Sequence, residues 1–498
     1  CLIMKKAKEF DLIDTETREY NEYYSMLINE GAARLTEGLD MIWWAISAVL
    51  LFFVYVSVIG SIDILLIGLC AVCSLAGFFM NLRYAEWEYN YNVNMTKTSR
   101  KIDYFYRIFS LGQYASDLRT SNLSRAMIKD YDTVAGRKFD IIDKTGSKLR
   151  NIDIMKTVLL FITTSVITTL YLSFLFLVQK KISLSTSEII VAQTLMLQMS
   201  TILSDIANIY PKLKKNKMYL EDYDKFMNYQ PQIRNNETGK LPRTSAHSII
   251  LQGVSFSYDK DKFVLNNINM HINAGEKVAI VGPNGSGKTT LIKLIMRLYL
   301  PDQGMVLFDN VPADNYNLEA YRERFSTAFQ ECNIYSLSLA ENVLMDIFKT
   351  DKEELVMEAL EKVGMKKTVL EYPEGMSSTM TREFNKDGVT LSGGQNQKIA
   401  ISRIYAKESG VIILDEPSSA LDPISENKMY RAMLDGAQGK TLILISHRLS
   451  SAKDVDKIYY MENGFILETG SHKELLNLNG RYAEMWHEQA DKYAENSL

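Results

Sequence analysis

The sequence predicts a multidomain chain: an all-α bundle of membrane-crossing helices, followed by an α/β domain built around a phosphate-binding loop. Three observations carry that prediction. At 498 residues the chain exceeds what one core commonly organises. Charge-free apolar runs long enough to cross a bilayer are confined to the part before about residue 210. Beyond Ile249, strand-like and helix-like patterns alternate, and one strand-to-helix junction is rich in glycine. Net charge is −4 with 23 % charged residues, so no bulk charge argues for nucleic acid as a partner.

In chain order, residues 1–38 are polar and helix-prone and cannot span a membrane. The chain begins at Cys1, and Leu2-Ile3-Met4-Lys5-Lys6-Ala7-Lys8 has too short an apolar region for a signal peptide. The expectation is a sequence cut from a longer protein. Met41 to Gly60 holds no charge, and about 20 such residues suffice to cross the hydrocarbon core as a helix. A second run, Ile62 to Met80, follows at once, with Asp63 at the turn, so the pair reads as a transmembrane hairpin. Cys70 and Cys73 lie in this apolar run with no histidine or second cysteine pair nearby. They read as packing residues rather than a metal or redox site.

Residues 83–150 return to charged helical sequence, with Arg83, Lys97, Arg100, Arg107, Arg125, Arg137 and Arg150 among many cations. That excess places the segment on the cytoplasmic side. A third apolar run, Thr157 to Val178, is free of charge. The segment 184–208 is weaker, interrupted by Glu188, Gln193, Gln198, Ser200 and Ser204; it reads as a crossing helix with one polar face, or else as an interfacial amphipathic helix. An even number of crossings keeps both soluble parts on one side. Polar residues in a spanning helix face a bundle interior or cavity, which makes Gln193, Gln198 and Ser200 candidates for a substrate path. The expected organisation is therefore 1–38 cytoplasmic loop, 39–210 membrane domain (helices near 41–60, 62–80, 157–178 and 184–208), 211–245 linker, and 246–498 nucleotide domain.

The last of these opens with Val254-Ser255-Phe256-Ser257-Tyr258, an alternating strand ending in an aromatic. Then Lys277 to Val281 reads as a buried strand, breaking into Gly282-Pro283-Asn284-Gly285-Ser286-Gly287-Lys288-Thr289-Thr290 and a helix. This is the G-x-x-x-x-G-K-[ST] phosphate loop. Its glycines let backbone N–H groups converge on an anion, and the helix start adds positive potential. Lys288 is placed to reach the β- and γ-phosphates of ATP, and the Thr289 hydroxyl to hold Mg²⁺. Leu391-Ser392-Gly393-Gly394-Gln395 precedes another helix and again offers N–H groups to a phosphate. Val411 to Leu414 is a strand that ends in Asp415 and Glu416, an acid for Mg²⁺ and an acid to polarise the attacking water. Leu442 to Ser446 is a further strand, ending in His447.

Taken in this order, these motifs resemble the ATP-binding cassette transporters of the exporter type, in which membrane and nucleotide-binding domains are fused. The resemblance covers Tyr258 to His447, and Leu391-Ser392-Gly393-Gly394-Gln395 is its most specific part. The C-terminal stretch Gly470 to Leu476 and Tyr482 to Trp486 is also similar to the family's end. The resemblance implies that Tyr258 stacks on adenine, that Gly282 to Thr290 wrap the phosphates, and that Gln330 senses Mg²⁺. It implies that Ser392, Gly393, Gly394 and Gln395 contact the γ-phosphate held by a second subunit, and that Asp422 bridges the two sites. Asp415 would serve the metal, Glu416 would be the general base, and His447 would contact the γ-phosphate. Thr381-Arg382-Glu383 resembles a segment that communicates with coupling helices, themselves expected near 10–24 and 110–120. The implied cofactors are ATP and Mg²⁺. The implied partners are the lipid bilayer, a transported substrate (peptide, lipid or hydrophobic drug), and a second half-transporter in a homodimer or heterodimer. The implied location is the cell membrane, with several crossings and the ATPase domain cytoplasmic. One departure stands out: the family has six crossing helices and four are counted here, so the first hairpin is expected upstream of Cys1. The competing reading is a soluble or regulatory cassette ATPase that does not pump.

Overall fold

The computed structural model describes residues 2–62, 67–68, 84, 87–88, 91, 94–95, 98–167, 169–171, 173–174, 186–259, 262–329, 332–416, 430–431, 433–447, 449 and 452–495. The chain divides into two compact units, one of Cys1–Ala7 with Asn21–Tyr229, the other of Lys8–Tyr20 with Gln230–Leu498.

The first unit is helical. It holds α1 (Leu2–Ala7) and, from residue 21 on, most of α3 (Arg18–Ile62), with α2 (Leu12–Thr15) between them in the other unit. After them come α4 (Ala115–Thr120), α5 (Leu123–Ile141), α6 (Ser147–Phe161) and α7 (Thr186–Met227). Among the described residues one helix is long and apolar enough to cross a membrane, the Thr36–Ser61 part of α3. Its side chains stand in the open: Trp43 is 74 % exposed and Phe53 66 %. Such a surface suits hydrocarbon rather than water, since every backbone polar group is satisfied within the helix. Leu27, Ala48, Ile59 and Met199 are buried within the unit, and the Tyr219 hydroxyl donates to the Leu27 carbonyl at 3.5 Å. A smaller cluster of Ile102, Phe105 and Val134 packs the stretch ahead of α4 against α5.

Two helices run past the boundaries expected from composition. α3 continues unbroken through residue 38, and α7 continues through Pro211 to Met227. A change from polar to apolar side chains alters what surrounds a helix, not its i to i−4 bonding. Single-turn π-helices at Ile142–Gly146 and Ile162–Ile167 flank α6, the form in which such insertions usually occur. Most of the second apolar run, with Cys70 and Cys73, lies outside the described residues, as does much of 168–185.

The second unit carries two sheets. An antiparallel one has the order β2-β1-β4-β5, from β1 (Ile249–Phe256), β2 (Leu265–Ile272), β4 (Gln303–Phe308) and β5 (Val311–Pro312). The other is ordered β10-β9-β3-β8-β7-β6, from β3 (Lys277–Val281), β6 (Phe325–Ala328), β7 (Val411–Asp415), β8 (Thr441–Ser446), β9 (Lys457–Glu462) and β10 (Phe465–Gly470). Its strands are parallel except that β10 runs antiparallel to β9. β7 and β8 are buried along their whole length, which explains why their sequences are continuous apolar runs instead of alternating ones. The helix α8 (Lys288–Ile295) follows β3, packs into the core between the sheets, and contributes Leu291, Ile292, Leu294 and Ile295. A second core is built on α9 (Leu339–Leu344) and α10 (Gly393–Ala406), and a third on α11 (His472–Leu478) and α12 (Arg481–Glu495).

The short segment Lys8–Tyr20 belongs to this unit. Leu12 and Ile13 pack against its main core. The Asp11 carboxylate accepts the backbone N–H groups of Gln232 (2.6 Å) and Ile233 (3.2 Å).

Candidate functional site

In parallel sheets the carboxyl ends of the strands open onto the ligand-binding crevice. Three neighbouring strands end there together. β3 and β8 are in register as Val281 with Ser446, and β7 and β8 as Asp415 with Ile445. The residues that follow these ends are Gly282, His447 and Glu416, so the sheet gathers three segments up to 165 positions apart.

The loop after β3 needs its glycines for space as well as conformation. At Gly282, with φ 149°, an added Cβ would lie 1.9 Å from the Met461 carbonyl oxygen. At Gly287, with φ 101°, it would lie 2.6 Å from a Leu265 methyl group. Gly287 is also the residue before α8, and no side chain caps that helix start. Lys288, only 6 % exposed, turns back over the loop and donates to the carbonyls of Gly282 (3.0 Å) and Pro283 (2.9 Å), with Ser286 Oγ at 3.5 Å. Burial pushes the Lys288 ammonium below the usual lysine range, against the attraction of Glu416 and Asp415.

Thr289, the next residue, donates its hydroxyl to Asp415 Oδ2 at 3.1 Å. Asp415 is 4 % exposed. Burial raises its carboxyl above the usual range, Glu416 adds to the rise, and the Thr289 bond and Lys288 oppose it. An exposed hydroxyl bonded to a buried carboxylate beside a phosphate loop is a hard-oxygen donor set of the kind Mg²⁺ shares with nucleotide phosphates. The residues present therefore fit that ion, Thr289 and Asp415 being its natural holders. Among the described residues no cluster of three or more His, Cys, Asp or Glu side chains forms a self-sufficient metal cage.

Glu416 sits at φ 48°, a left-handed conformation uncommon for a non-glycine residue and concentrated at functional sites. Its N–H donates to the Ile445 carbonyl at 3.1 Å, which ties the turn to the end of β8. Its Oε1 lies 3.0 Å from His447 Nδ1. Tyr258 is 40 % exposed, and its hydroxyl is 3.0 Å from that of Thr290, the third residue of α8. A ring of Tyr299 stands edge-on to Tyr258 at 5.7 Å, and Tyr299 in turn donates to Glu16 and accepts from Lys293. Burial pushes the Tyr299 hydroxyl up to about 12. Glu16 lies in the Lys8–Tyr20 segment, one of the regions expected to hold a coupling helix. Nothing in its sequence marks Glu16 as a neighbour of the tyrosine pair.

Ser392 is the N-cap of α10. Its hydroxyl accepts from Gln395 N at 3.3 Å and Gln395 Oε1 accepts from Ser392 N at 2.8 Å, a complete capping box. Thr381 adopts φ 67°, an outlier for a β-branched residue. The turn it opens is held by Arg382 Nε donating to the Gly388 carbonyl, and Phe384 projects from it almost fully exposed. Gln330 and Asp422 lie outside the described residues. Gln193 Nε2 donates to Thr169 Oγ1 at 3.3 Å and Gln198 is exposed; the Ser200 side chain is not among those described.

Comparison with known proteins bears on the same residues. A family model described as "ABC transporter" matches residues 265–419. The "ATP-dependent lipid A-core flippase" of Alkalilimnicola ehrlichii is 37 % identical over 249 residues, half of this chain and 42 % of that one. The mitochondrial "Iron-sulfur clusters transporter ATM1" of Saccharomyces cerevisiae is 32 % identical over 322 residues, 64 % of this chain and 46 % of that one. The chain thus spans less than half the length of these curated relatives. The solved structure of a bacterial Atm1-family ABC exporter with ATP bound superposes with a TM-score of 0.81 at 21 % identity, covering 98 % of this chain and 84 % of that one.

Proposed function

We propose that this chain, which belongs to the ATP-binding cassette transporters of the exporter type with fused membrane and nucleotide-binding domains, works as one half of a pump that hydrolyses ATP to move a substrate across a membrane. The observation that carries the reading is the convergence, on three adjacent strand ends, of a buried lysine in a phosphate loop, the Thr289–Asp415 pair, and the Glu416–His447 pair.

In this reading the adenine lies on the exposed face of Tyr258 and the phosphates on the backbone of Gly282 to Thr290. Lys288 exchanges its bonds to the loop carbonyls for bonds to the β- and γ-phosphates. Thr289 and Asp415, with Gln330, hold Mg²⁺, which supplies neutralising charge on the phosphate oxygens when bound. Glu416 takes a proton from water as the water oxygen bonds to the γ-phosphorus. The bond from that phosphorus to the β–γ bridging oxygen breaks, and ADP and inorganic phosphate leave. His447 Nδ1 holds the Glu416 carboxylate in place for that transfer. Ser392, Gly393, Gly394 and Gln395 of one copy close over the nucleotide held by another, and Asp422 lies between the two sites. The apolar face of α3 sits in lipid, and the ATPase domain is cytoplasmic. Motion of the nucleotide domains passes to the membrane helices through segments near 10–24 and 110–120, which switches a cavity between the two sides.

The test is Glu416→Gln in the chain reconstituted into vesicles. A general base contributes about 10²–10⁴-fold, so turnover should fall by that order while nucleotide binding stays near the wild-type value. Near-normal steady-state hydrolysis by this variant would overturn the assignment. Transport is read separately, by ATP-dependent movement of lipid, peptide or hydrophobic-drug probes across the same vesicles.

A further inference from the structure

The hydrolytic His447 lies on a turn, not on a strand. β8 ends at Ser446 and its neighbour β7 ends at Asp415, so the strand pairing that orders the sheet stops where His447 begins. What holds the turn comes from the far end of the sequence. Gln489 Nε2 donates to the His447 carbonyl at 2.6 Å, and Gln489 Oε1 accepts the Leu449 N–H at 3.0 Å. One side-chain amide thus uses its donor and its acceptor on two residues of the same turn, as a neighbouring strand would. The His447 ring is 43 % exposed by its side chain and touches Glu416 at 3.0 Å. With a half-open ring, the backbone beneath it decides where it points.

Gln489 is itself well anchored. It lies on α12, where Tyr482, Met485, Trp486 and Gln489 follow one another at i, i+3, i+4 and i+7 and so share a face. Tyr482 is fully buried, and Met485 and Trp486 pack on the cluster that contains Leu449, Ala452 and Val455. The same apolar cluster therefore seats both α12 and the segment that follows His447. Glu468 of β10 accepts the N–H groups of Arg481 (2.6 Å) and Tyr482 (3.1 Å) at the start of the helix. The Tyr482 hydroxyl is 2.8 Å from His472 Nδ1. The helix is pinned at its first turn and along its buried face, so the Gln489 amide arrives at the His447 turn with little freedom.

We propose that Gln489 is a positioning residue for ATP hydrolysis, holding the His447 turn so that the imidazole keeps its bond to Glu416. The proposal rests on the ATPase reading given above. A purely structural staple is the alternative, and the two separate by what they change. Leu449 has no exposed surface, so a Leu449 N–H that loses its acceptor costs stability under either role. Only the positioning role also lowers turnover while nucleotide affinity is kept.

The experiment compares Gln489→Ala and Gln489→Glu with wild type and Glu416→Gln, all as the full chain in vesicles, measuring kcat, KM for ATP, binding of a fluorescent ATP analogue, and thermal midpoint. For Gln489→Ala the expected result is a fall in kcat of about tenfold, the scale of losing one or two hydrogen bonds, with KM and analogue affinity within about twofold and a midpoint lowered by the unpaired Leu449 N–H. Gln489→Glu keeps an acceptor for Leu449 but sets a charged oxygen against the His447 carbonyl, so it should also lose kcat without unfolding. Unchanged kcat in Gln489→Ala, beside an active wild type and a dead Glu416→Gln, overturns this inference alone. A joint loss of kcat, affinity and midpoint in both variants also overturns it, in favour of a staple. A wild type that hydrolyses no ATP overturns the ATPase reading, and this inference with it.

Discussion

A glycine precedes α8 and another opens α10, and both helix starts are assigned to phosphate by their sequences, yet their first turns are finished in different ways. α8 follows a left-handed Gly287 and has no side-chain cap. Its polar complement is a buried lysine folded back onto the loop carbonyls and a buried aspartate bonded to its second residue. α10 is closed by its own side chains, with Ser392 and Gln395 capping each other. That box uses the amides of Ser392 and Gln395 and leaves those of Gly393 and Gly394 out of it. The first helix start keeps its N–H groups and two buried ions for a ligand. The second is self-sufficient and offers what its box does not use. On the proposed function, the first end would bind phosphate by itself and the second would serve as a rigid lid for a phosphate held elsewhere.

The largest test of that contrast is Lys288→Ala. Bonds from an ionised donor to a charged acceptor are worth about 1.5–3 kcal/mol each. Removing the ammonium should therefore weaken ATP binding by about 100-fold or more, read by titration with a fluorescent analogue. Affinity within threefold of wild type would break the claim that the α8 end grips nucleotide by itself.

Ser392→Ala probes the other end and should behave differently. Loss of an N-cap hydroxyl costs about 1 kcal/mol of stability, and Ser392→Thr, which keeps the oxygen, should restore most of it. Hydrolysis should fall by about tenfold, while analogue binding stays close to wild type. If Ser392→Ala weakened analogue binding as much as Lys288→Ala, the two ends would be alike and the contrast would fail.

The same contrast marks what could be read from sequence. The α8 end is written in one contiguous stretch, because a phosphate loop needs its glycines, lysine and threonine at consecutive positions. Asp415, Glu416 and His447 were legible because each ends an apolar run, and parallel pairing brings such ends together. The capping box of α10 was present in the letters Ser392 and Gln395, three apart, although there they pointed first to a ligand. Contacts made at long range were not legible. Asp11 meets the amides of Gln232 and Ile233 across more than 200 positions, and backbone amides carry no sequence signal at all. Gln489 shares a helix face with Tyr482 and Trp486, a periodicity visible in the letters, but its target is again a backbone carbonyl and N–H. The continuity of α3 through residue 38 was hidden for another reason: composition reports a helix's surroundings, and those change along α3 while the helix does not.

The smallest expected effect, and the one that speaks most directly to the burial of ions at the α8 end, belongs to Asp415→Asn. The native carboxyl is raised above its unfolded value, chiefly by burial. A raised acid binds its proton more tightly in the folded state, so its contribution to stability is full below the unfolded value of about 3.9 and is lost as pH climbs through the native value. Above that native value the nucleotide-free wild type carries an ionised, desolvated Asp415. Asparagine removes that charge and keeps an oxygen for the Thr289 hydroxyl. The variant's thermal midpoint without nucleotide should exceed that of wild type by about 2–4 °C at pH 7.5, and the gap should narrow as the pH is lowered towards 4. Added Mg²⁺ and ATP should then stabilise wild type more than the variant, reversing the order, because the wild type alone offers a carboxylate to the ion. A gap that stayed constant across this pH range, or a variant less stable than wild type at every pH, would mean that the Asp415 charge is compensated in the empty site. The open end would then carry no standing electrostatic cost.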